Sequence, residues 1–313
     1  MDSAHDLLPF KNVLLLSDFS PCSDNALQCA LAITRTHGAK LFVLHVVVPD
    51  TLTYMSGEPP AVALDLQEQW ARDKMKQLEE RLSDVPYQTF VVRDDNVWPS
   101  VALKVIEMRS DLLVLGTRGR TGFDKLFLGS VAETILRQSP IPVMSIGPEV
   151  PPSEGRFHRV LLATDLQRAS AETARYAVAL ARRDRSSLTL LHTYRTGPRN
   201  KPNESAVLSV AEALHQLHDL AMPLGNENPE SRSQSIIEFG DSKLKILEVA
   251  RRTNADLIVI GIAAAKSVLV ASHLEIGTAH AVIASARCPV LTVPDLATSG
   301  AHAEAETKTI YVN

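Results

Sequence analysis

Cysteine and aromatic residues are scarce in this chain of 313 residues. Its three cysteines, Cys22, Cys29 and Cys288, are too few and too scattered for a disulfide framework or a zinc site. Cys22 and Cys29 share one stripe of an apolar helical pattern, which predicts small buried side chains rather than reactive thiols. Aromatic residues make up 5% of the chain, so we expect cores built mainly from Leu, Val, Ile and Ala.

Membrane-spanning and targeting signals are also missing. No apolar run approaches the ~20 residues that a membrane-spanning helix needs. The amino terminus, MDSAHDLLPF, lacks the basic region and apolar stretch of a signal peptide. We therefore expect a cytoplasmic protein with no membrane partner. The formal net charge of -4 gives no electrostatic case for nucleic acid as a partner, because nucleic-acid-binding domains carry a basic face.

The chain repeats itself. KNVLLLSDFS from residue 11 and HRVLLATDLQ from residue 158 are apolar runs that end in a hydroxyl residue and an aspartate, displaced by 147 residues. Three further pairs follow in the same order at displacements of 145 or 147: LFVLHVV and LTLLHTY, SDLLVLGTRG and ADLIVIGIAA, SPIPVMSI and RCPVLTVP. Ordered matches at a nearly constant displacement indicate a tandem duplication. We predict domains over 1–148 and 156–296, a linker near 147–155, and a C-terminal tail over 297–313.

Each copy alternates short apolar strands with helical periodicity. In the first copy, strands are predicted near 12–17, 40–48, 87–93, 112–116 and 142–146. Helices are predicted from Ser20-Pro21 to Gly38, over 61–83, from Pro99 and from Ser130. Strands that are apolar at every position are typical of a sheet covered by helices on both faces. The pattern predicts an α/β fold with two tandem doubly wound parallel five-stranded sheets.

A glycine-rich loop after the fourth strand of the first copy has the features of a nucleotide phosphate site. It contains Gly116, Gly119, Gly129 and Ser130, and a helix begins at Ser130. Glycine lets backbone N–H groups approach an anion closely, and the N-terminus of a helix favours phosphate oxygens. Positive charge in this region comes from Arg118, Arg120 and Lys125.

The first strand ends in Ser17-Asp18, at the edge of a doubly wound sheet where ligands bind. A purely structural interpretation of the glycine loop stays open beside the nucleotide one. In that interpretation Ser130 and Glu133 form a capping box that only starts a helix, and Gly116 and Gly119 only serve a tight turn.

The chain resembles a tandem universal stress protein over about residues 9–295. The resemblance rests on the ATP-binding pattern G-x2-G-x9-G-[ST], complete at Gly116, Gly119, Gly129 and Ser130. It implies the strand order 3-2-1-4-5. It also implies domains that pair through their last strands, within the chain or in a homodimer, and an unidentified protein partner.

The same resemblance implies a ligand and the residues that hold it. The ligand is ATP, or AMP or ADP. We also expect Mg²⁺ beside it, because divalent cations commonly accompany phosphates. Asp18 and the backbone of Val46 are expected beside the adenine. The remaining contacts are assigned to Ser17, Gly116, Arg118, Gly119, Gly129, Ser130 and Val131. The resemblance assigns no catalytic residue and no metal ligand.

The second copy departs from the pattern. Ala264 replaces the second glycine, and a longer, mostly apolar stretch separates it from Gly277-Thr278. Thr193 stands where Val46 stands in the first copy, although Asp165 is retained at the end of the first strand. We predict that the second copy binds nucleotide weakly or not at all and serves as a structural or regulatory partner.

Three functions remain open at this stage. The first is a stress-response protein that acts through its nucleotide state. The second is a slow ATPase or self-phosphorylating enzyme, with Thr121, Ser130 and Asp18 as the nearest candidates. The third is a nucleotide-free assembly module.

Other polar and aromatic residues are interpreted structurally. His215 and His218 are predicted to be exposed helical residues rather than metal ligands, since no further ligand completes a site. His45 and His192 are predicted to be packed residues, and Trp70 a packing or interface anchor. His273 and His280 flank the degenerate loop and are not assigned to a ligand.

Overall fold

The computed structural model describes residues 10–49, 59–119, 128–152, 154–166, 170–194, 204–221, 233–263 and 273–295. The chain forms two compact units, the first spanning Pro9–Arg156 and the second beginning at Phe157. Each unit contains a parallel five-stranded sheet flanked by helices. The α/β prediction is therefore confirmed. Within the described ranges, no helix combines the length and apolar character needed to cross a bilayer.

The first unit has the predicted strand order. Its elements are β1 Asn12–Leu16, α1 Pro21–His37, β2 Lys40–Val47, α2 Pro60–Glu79, β3 Tyr87–Arg93, α3 Val97–Glu107, β4 Leu112–Gly116, α4 Ser130–Gln138 and β5 Val143–Ile146. The strands lie in the order β3-β2-β1-β4-β5, and each adjacent pair is parallel. The order 3-2-1-4-5 is confirmed, and the carboxyl ends of β1 and β4 lie side by side at the centre of the sheet.

The second unit repeats this topology. Its elements are β6 Arg159–Thr164, α5 Ser170–Asp184, β7 Ser187–Tyr194, α6 Glu204–Ala221, β8 Ser233–Phe239, α7 Ser242–Arg252, β9 Leu257–Ala263, α8 His273–Ser285 and β10 Val290–Asp295. Parallel pairings give the order β8-β7-β6-β9-β10. The duplication seen in the sequence is thus also a duplication of topology.

The helix α1 shows how local signals build the fold. Ser20 is its N-cap and its hydroxyl accepts from the Ser23 N–H at 3.2 Å, while Pro21 occupies the first turn. Gly38 ends the helix in the left-handed conformation, with φ of 62°. Cys22 and Cys29 face the buried side, and Cys288 is buried in the second unit.

Two predicted helix bounds differ from the structure. The helix α3 begins at Val97 rather than Pro99, so Pro99 lies within the first turn, where the missing N–H has no intrahelical acceptor to lose. The helix α2 ends at Glu79, four residues before the predicted end, in a polar stretch where the periodicity gives no stop signal.

The predicted linker is partly packed against the first unit. Gly155 has φ of 78°, and a Cβ placed on it would lie 2.1 Å from the carbonyl oxygen of Ala32 in α1. The Thr36 hydroxyl donates to the Glu154 carbonyl at 3.1 Å, and Val150 is buried. The segment after β5 therefore follows α1 closely. The predicted tail over 297–313 lies outside the described residues.

Candidate functional site

A cavity of about 670 Å³ opens beyond the carboxyl ends of the central strands of the first unit. All nine residues that the sequence assigned to nucleotide binding line it: Ser17, Asp18, Val46, Gly116, Arg118, Gly119, Gly129, Ser130 and Val131. The structure thus brings together segments from β1, β2 and the loop between β4 and α4. It adds a wall from α2 and α3, including Leu66, Gln67, Trp70 and Val97, that the motif did not indicate.

The turn after β1 fixes the position of Asp18. Its Oδ1 accepts from the Ser20 N–H at 3.0 Å, and the Ser17 hydroxyl accepts from the Phe19 N–H at 3.2 Å. Phe19 itself has φ of 60°, which is uncommon for a residue with a side chain. The second carboxylate oxygen, Oδ2, faces the glycine loop, where a Cβ on Gly119 would lie 3.0 Å away. The Asp18 carboxylate therefore stands between the first strand and the loop.

The backbone of Val46 is directed toward the cavity by the strand pattern. The Leu44 carbonyl accepts from the Ser17 N–H at 3.0 Å, so the backbone groups of Leu44 face β1. Backbone direction repeats every second residue along a strand, so the N–H and C=O of Val46 face the same side. The pairing of β1 with β2 ends at Leu16. The N–H and C=O of Val46 therefore lie beyond the last paired residue of β1, where a ligand can bind them.

The helix α4 begins without a side-chain cap. Its N-cap is Gly129, and the first backbone bond of the helix runs from the Glu133 N–H to the Gly129 carbonyl at 2.9 Å. The N–H groups of Ser130, Val131 and Ala132 precede that bond and have no intrahelical acceptor. The same N–H groups carry the positive end of the helix dipole and lie on the cavity wall.

The capping box considered from the sequence is therefore wrong. Ser130 is the first helical residue rather than the N-cap, and no side chain caps the helix. Glu133 pairs instead with Arg137, one turn later, at 2.8 Å. Because the Glu133 carboxylate binds Arg137, the helix N-terminus has no side-chain cap, and Ser130 starts the helix without capping it.

The three loop glycines have different roles. A Cβ on Gly116 would lie 2.8 Å from the backbone of Cys22, so Gly116 lets α1 pack closely on β4. The N–H of Gly129 donates to the Thr117 carbonyl at 3.0 Å and closes the base of the loop. All three glycines line the cavity, and Gly119 is the one that lies against Asp18. The motif therefore combines packing, loop closure and access to a ligand.

The charged lining in the described residues consists of Asp18 and Arg118. Arg118 is half-buried, and its carbonyl accepts from the Ser20 hydroxyl at 3.4 Å, which ties the loop to the start of α1. Arg120, Thr121 and Lys125, which are further candidates from the sequence, lie outside the described residues.

An aromatic series crosses one side of the cavity. The Trp70 and Phe19 rings meet edge to face with centroids 5.6 Å apart, and Phe19 lies over His45 at 4.6 Å. His45 is buried, and its Nδ1 donates to the Ser17 carbonyl at 2.7 Å, since a carbonyl can only accept. The packing expected of His45 is confirmed, whereas Trp70 contacts Phe19 but is 40% exposed. The sequence missed that Trp70 also lines the cavity, because a helical pattern does not show which turn reaches a strand end.

The second unit keeps the turn after its first strand but differs at Gly277, the counterpart of the glycine that precedes α4. His192 Nδ1 donates to the Thr164 carbonyl at 2.9 Å, and the Thr164 hydroxyl accepts from the Leu166 N–H at 3.0 Å, as in the first copy. Gly277, however, lies inside α8 rather than at its start. Backbone N–H groups at that depth are bonded within the helix, so they are not available to an anion. Ala264 lies outside the described residues.

One substitution changes the chemistry at the end of β7 in the second unit. Thr193, the counterpart of Val46, donates its hydroxyl to Ser242 at 2.7 Å, so a polar pair replaces an apolar wall. On α6, His215 is exposed and pairs with Asp219 at 3.1 Å. Across the described residues, no group of three or more potential ligands could hold a metal ion.

Comparisons with known proteins agree over both units. The model of the universal stress protein family matches residues 9–146 and again residues 156–294. A universal stress protein from Thermus aquaticus is 30% identical over 139 residues, which cover 44% of this chain and 98% of that protein.

Solved structures show the same fold. A universal stress protein from Archaeoglobus fulgidus aligns with a TM-score of 0.66 at 21% identity, covering 92% of this chain and all of the other. Another from the same organism, solved in complex with dAMP, aligns with 44% of this chain at 19% identity and a TM-score of 0.34, too low to inform on a ligand here. The two family matches together span nearly the whole chain, which therefore belongs to the universal stress protein family.

Proposed function

We propose that the first unit binds an adenine nucleotide and that the protein acts in a stress response through its nucleotide state. The observation that carries the proposal is the open N-terminus of α4, which faces Asp18 and the backbone of Val46 across one cavity. Family membership supports the proposal, and the cavity volume of about 670 Å³ falls in the range of small-molecule sites.

The phosphate end of the ligand is proposed at α4. The N–H groups of Ser130, Val131 and Ala132 and the guanidinium of Arg118 supply donors and positive charge there. Gly119 keeps the loop side of this region open because it carries no Cβ. A Mg²⁺ ion that bridges phosphates would need few protein ligands of its own.

The base is proposed at the opposite end of the cavity. A purine edge offers both donors and acceptors, which match the N–H and C=O that Val46 directs beyond β1. The apolar side chains of Val46 and Val97, with the ring of Trp70, supply the flat apolar surfaces that a base needs. Asp18 lies between the two ends, where it can accept from a ribose hydroxyl.

Regulation by nucleotide state is preferred to turnover. Asp18 Oδ1 already accepts from the Ser20 N–H, so one of its oxygens is engaged in the turn. Ser130 lies at the helix N-terminus, where it is exposed. Within the described lining, no second carboxylate accompanies Asp18 to serve as a base.

The proposal is tested by the nucleotide content of freshly purified protein and by calorimetric titration of the stripped protein with AMP, ADP and ATP, with and without Mg²⁺. We expect one adenine nucleotide per chain. Asp18→Ala should weaken binding at least about tenfold, which is 1.4 kcal/mol, whereas Asp165→Ala, its counterpart in the second unit, should leave binding unchanged.

The alternatives give different results. No bound nucleotide and no binding at millimolar ATP and Mg²⁺ would reject the proposal and leave the assembly module. Two nucleotides per chain would show a working site in the second unit. Steady ADP release that Asp18→Ala abolishes would instead indicate an ATPase.

A further inference from the structure

Five exposed arginines lie at the amino-terminal edge of the second sheet, opposite to the edge where ligands bind in this fold. They are Arg159, Arg182, Arg185, Arg251 and Arg287, and we call them the arginine edge. They are separated by up to 128 residues in the chain. Two of them end helices, and the other three stand in or just before strands.

Hydrogen bonds between strand starts place these arginines along one edge. The Ser187 N–H donates to the His158 carbonyl at 2.9 Å, which sets the start of β7 beside that of β6. The Asp256 N–H donates to the Arg159 carbonyl at 2.9 Å, and the Ile258 N–H to the Pro289 carbonyl at 3.1 Å. The starts of β7, β6, β9 and β10 therefore form a row about 14 Å long, given a strand spacing of about 4.8 Å.

The positive charge of this edge is only partly neutralised. Asp256 lies 3.7 Å from Arg159, but its oxygens also accept the N–H groups of His158 and Arg159. Asp184 accepts the Phe157 N–H at 3.0 Å. Over the described part of the chain, Arg182, Arg185 and Arg251 form no ion pair. The edge thus carries positive charge in a chain whose net charge is -4.

The first copy serves as an internal control for a purely structural explanation. It builds the same fold with different residues at the matching positions. The counterparts of the arginine edge, in the same order, are Asn12, Arg35, Gly38, Ile106 and Pro140. The one arginine among them pairs with Asp84 at 2.6 Å. Favourable interaction with helix dipoles explains Arg182 and Arg251. The matching edge of the first sheet is basic through other residues, with Lys11, Lys40 and Arg109 exposed there, but the fold does not require arginines at these five positions.

We propose that the arginine edge binds the phosphate backbone of a double-stranded nucleic acid without reading its sequence. A guanidinium binds phosphate through two parallel hydrogen bonds, and Arg182, Arg185 and Arg251, which form no ion pair in the described residues, are placed to bind in this way. A duplex strand presents a charge about every 3.4 Å along its axis, so a row about 14 Å long spans several phosphates.

The surrounding surface favours a duplex over other anionic partners. The exposed large apolar residues described in this unit are Leu214 on α6, Phe239 at the end of β8 and Leu244 near the start of α7. None of these lies at the amino-terminal edge. An anionic bilayer is usually bound with inserted apolar side chains, and single strands are bound by stacking on aromatic rings. Charge alone, without such groups, matches a phosphate backbone.

The test is fluorescence anisotropy with a labelled duplex of about 20 base pairs, as DNA and as RNA of the same sequence, between about 50 and 200 mM KCl. We expect weak binding. The logarithm of the association constant should fall linearly as the logarithm of the salt concentration rises. The triple variant Arg182→Gln/Arg185→Gln/Arg251→Gln should bind at least about tenfold more weakly at about 100 mM KCl. For this variant, the slope of log association constant against log salt concentration should be smaller by about 0.9 for each phosphate that is no longer neutralised.

Two controls test whether weaker binding comes from the loss of charge at the arginine edge, from the lower net charge of the chain or from unfolding. Lys11→Gln/Lys40→Gln/Arg109→Gln removes three exposed positive charges from the matching edge of the first sheet and should leave duplex binding unchanged. Arg185→Gln alone lies outside any helix and should reduce the slope of log binding constant against log salt concentration by about 0.9 with an unchanged melting temperature. Binding to DNA alone, to RNA alone or to both supports the proposal and identifies the source of the phosphate.

The proposal is overturned if neither duplex binds at about 50 mM KCl, or if the control triple variant weakens binding equally. Binding to phosphatidylserine vesicles without binding to either duplex would also overturn it and would indicate a membrane surface. The result does not depend on the cavity of the first unit, since Asp18→Ala is expected to bind the duplex normally.

Discussion

Gly119 faces Asp18 so closely that a Cβ on Gly119 would lie 3.0 Å from the carboxylate Oδ2. Gly119→Ala must therefore push the carboxylate aside or shift the loop, both of which alter the cavity. We expect about tenfold weaker binding of adenine nucleotide, and because Gly119 is exposed, a change in unfolding free energy within about 0.5 kcal/mol. Calorimetric titration and urea denaturation measure the two quantities.

Gly277→Ala is the matched control for that variant. Gly277 lies inside a helix of the second unit, with open space where a Cβ would go. We expect unchanged nucleotide binding and stabilisation of about 0.5–1 kcal/mol, since alanine favours a helix more than glycine does. Equal loss of affinity in Gly119→Ala and Gly277→Ala would contradict a site beside Asp18.

Gly116→Ala should act on stability. A Cβ at this position would lie 2.8 Å from the carbonyl carbon and 2.9 Å from the carbonyl oxygen of Cys22, and backbone atoms cannot rotate away. We expect destabilisation of about 1–3 kcal/mol, as for other overpacked sites, because α1 must move off β4. A urea midpoint identical to that of the parent chain would contradict this, because it would show that α1 moves off β4 without any loss of stability.

Trp70 should report on nucleotide binding. The chain has two tryptophans, Trp70 and Trp98, and of the two only Trp70 lines the cavity. A base placed against Trp70 should change its fluorescence, so the signal on adding ATP should persist in Trp98→Phe and disappear in Trp70→Phe. A signal that survives in Trp70→Phe would place the base elsewhere.

Alkaline pH should destabilise the protein through its buried thiols. Burial raises the pKa of Cys29 and that of Cys288 from 9.0 to about 12. The folded state therefore keeps both protons between pH 9 and 12, where the unfolded chain loses them. Stability should be full below about pH 9 and should fall above it by up to about 1.4 kcal/mol per pH unit for each thiol.

Urea unfolding at about pH 8, 9 and 10 measures this decline. The variant Cys29→Ala/Cys288→Ala should start from a lower stability, because it leaves cavities, and should lose less on going from about pH 9 to 10. Parallel curves for the parent chain and the variant would mean that other groups cause the alkaline loss. Neither thiol should react with iodoacetamide at about pH 8 until urea is added, because the thiolate is the nucleophile.

Much of the first unit was predictable because its signals are local. Alternation of apolar strands with helical stripes indicated an α/β unit, and Ser20-Pro21 and Gly38 marked both ends of α1. The capping-box interpretation failed because the same residues can form two different local interactions. Ser130 and Glu133 match a capping box, but Glu133 binds Arg137 instead, a choice that depends on rotamers and not on spacing.

The sequence by itself determined the duplication, the strand order implied by family resemblance, and the glycines and aspartate that meet in the cavity. Tertiary structure decided which residues complete the walls, because Trp70 and Val97 reach the cavity only when α2 and α3 pack on the sheet. It also decided where charge collects. Arginines that are far apart in the chain become neighbours because parallel strands all begin at one edge, and a net charge summed over the sequence cannot show that.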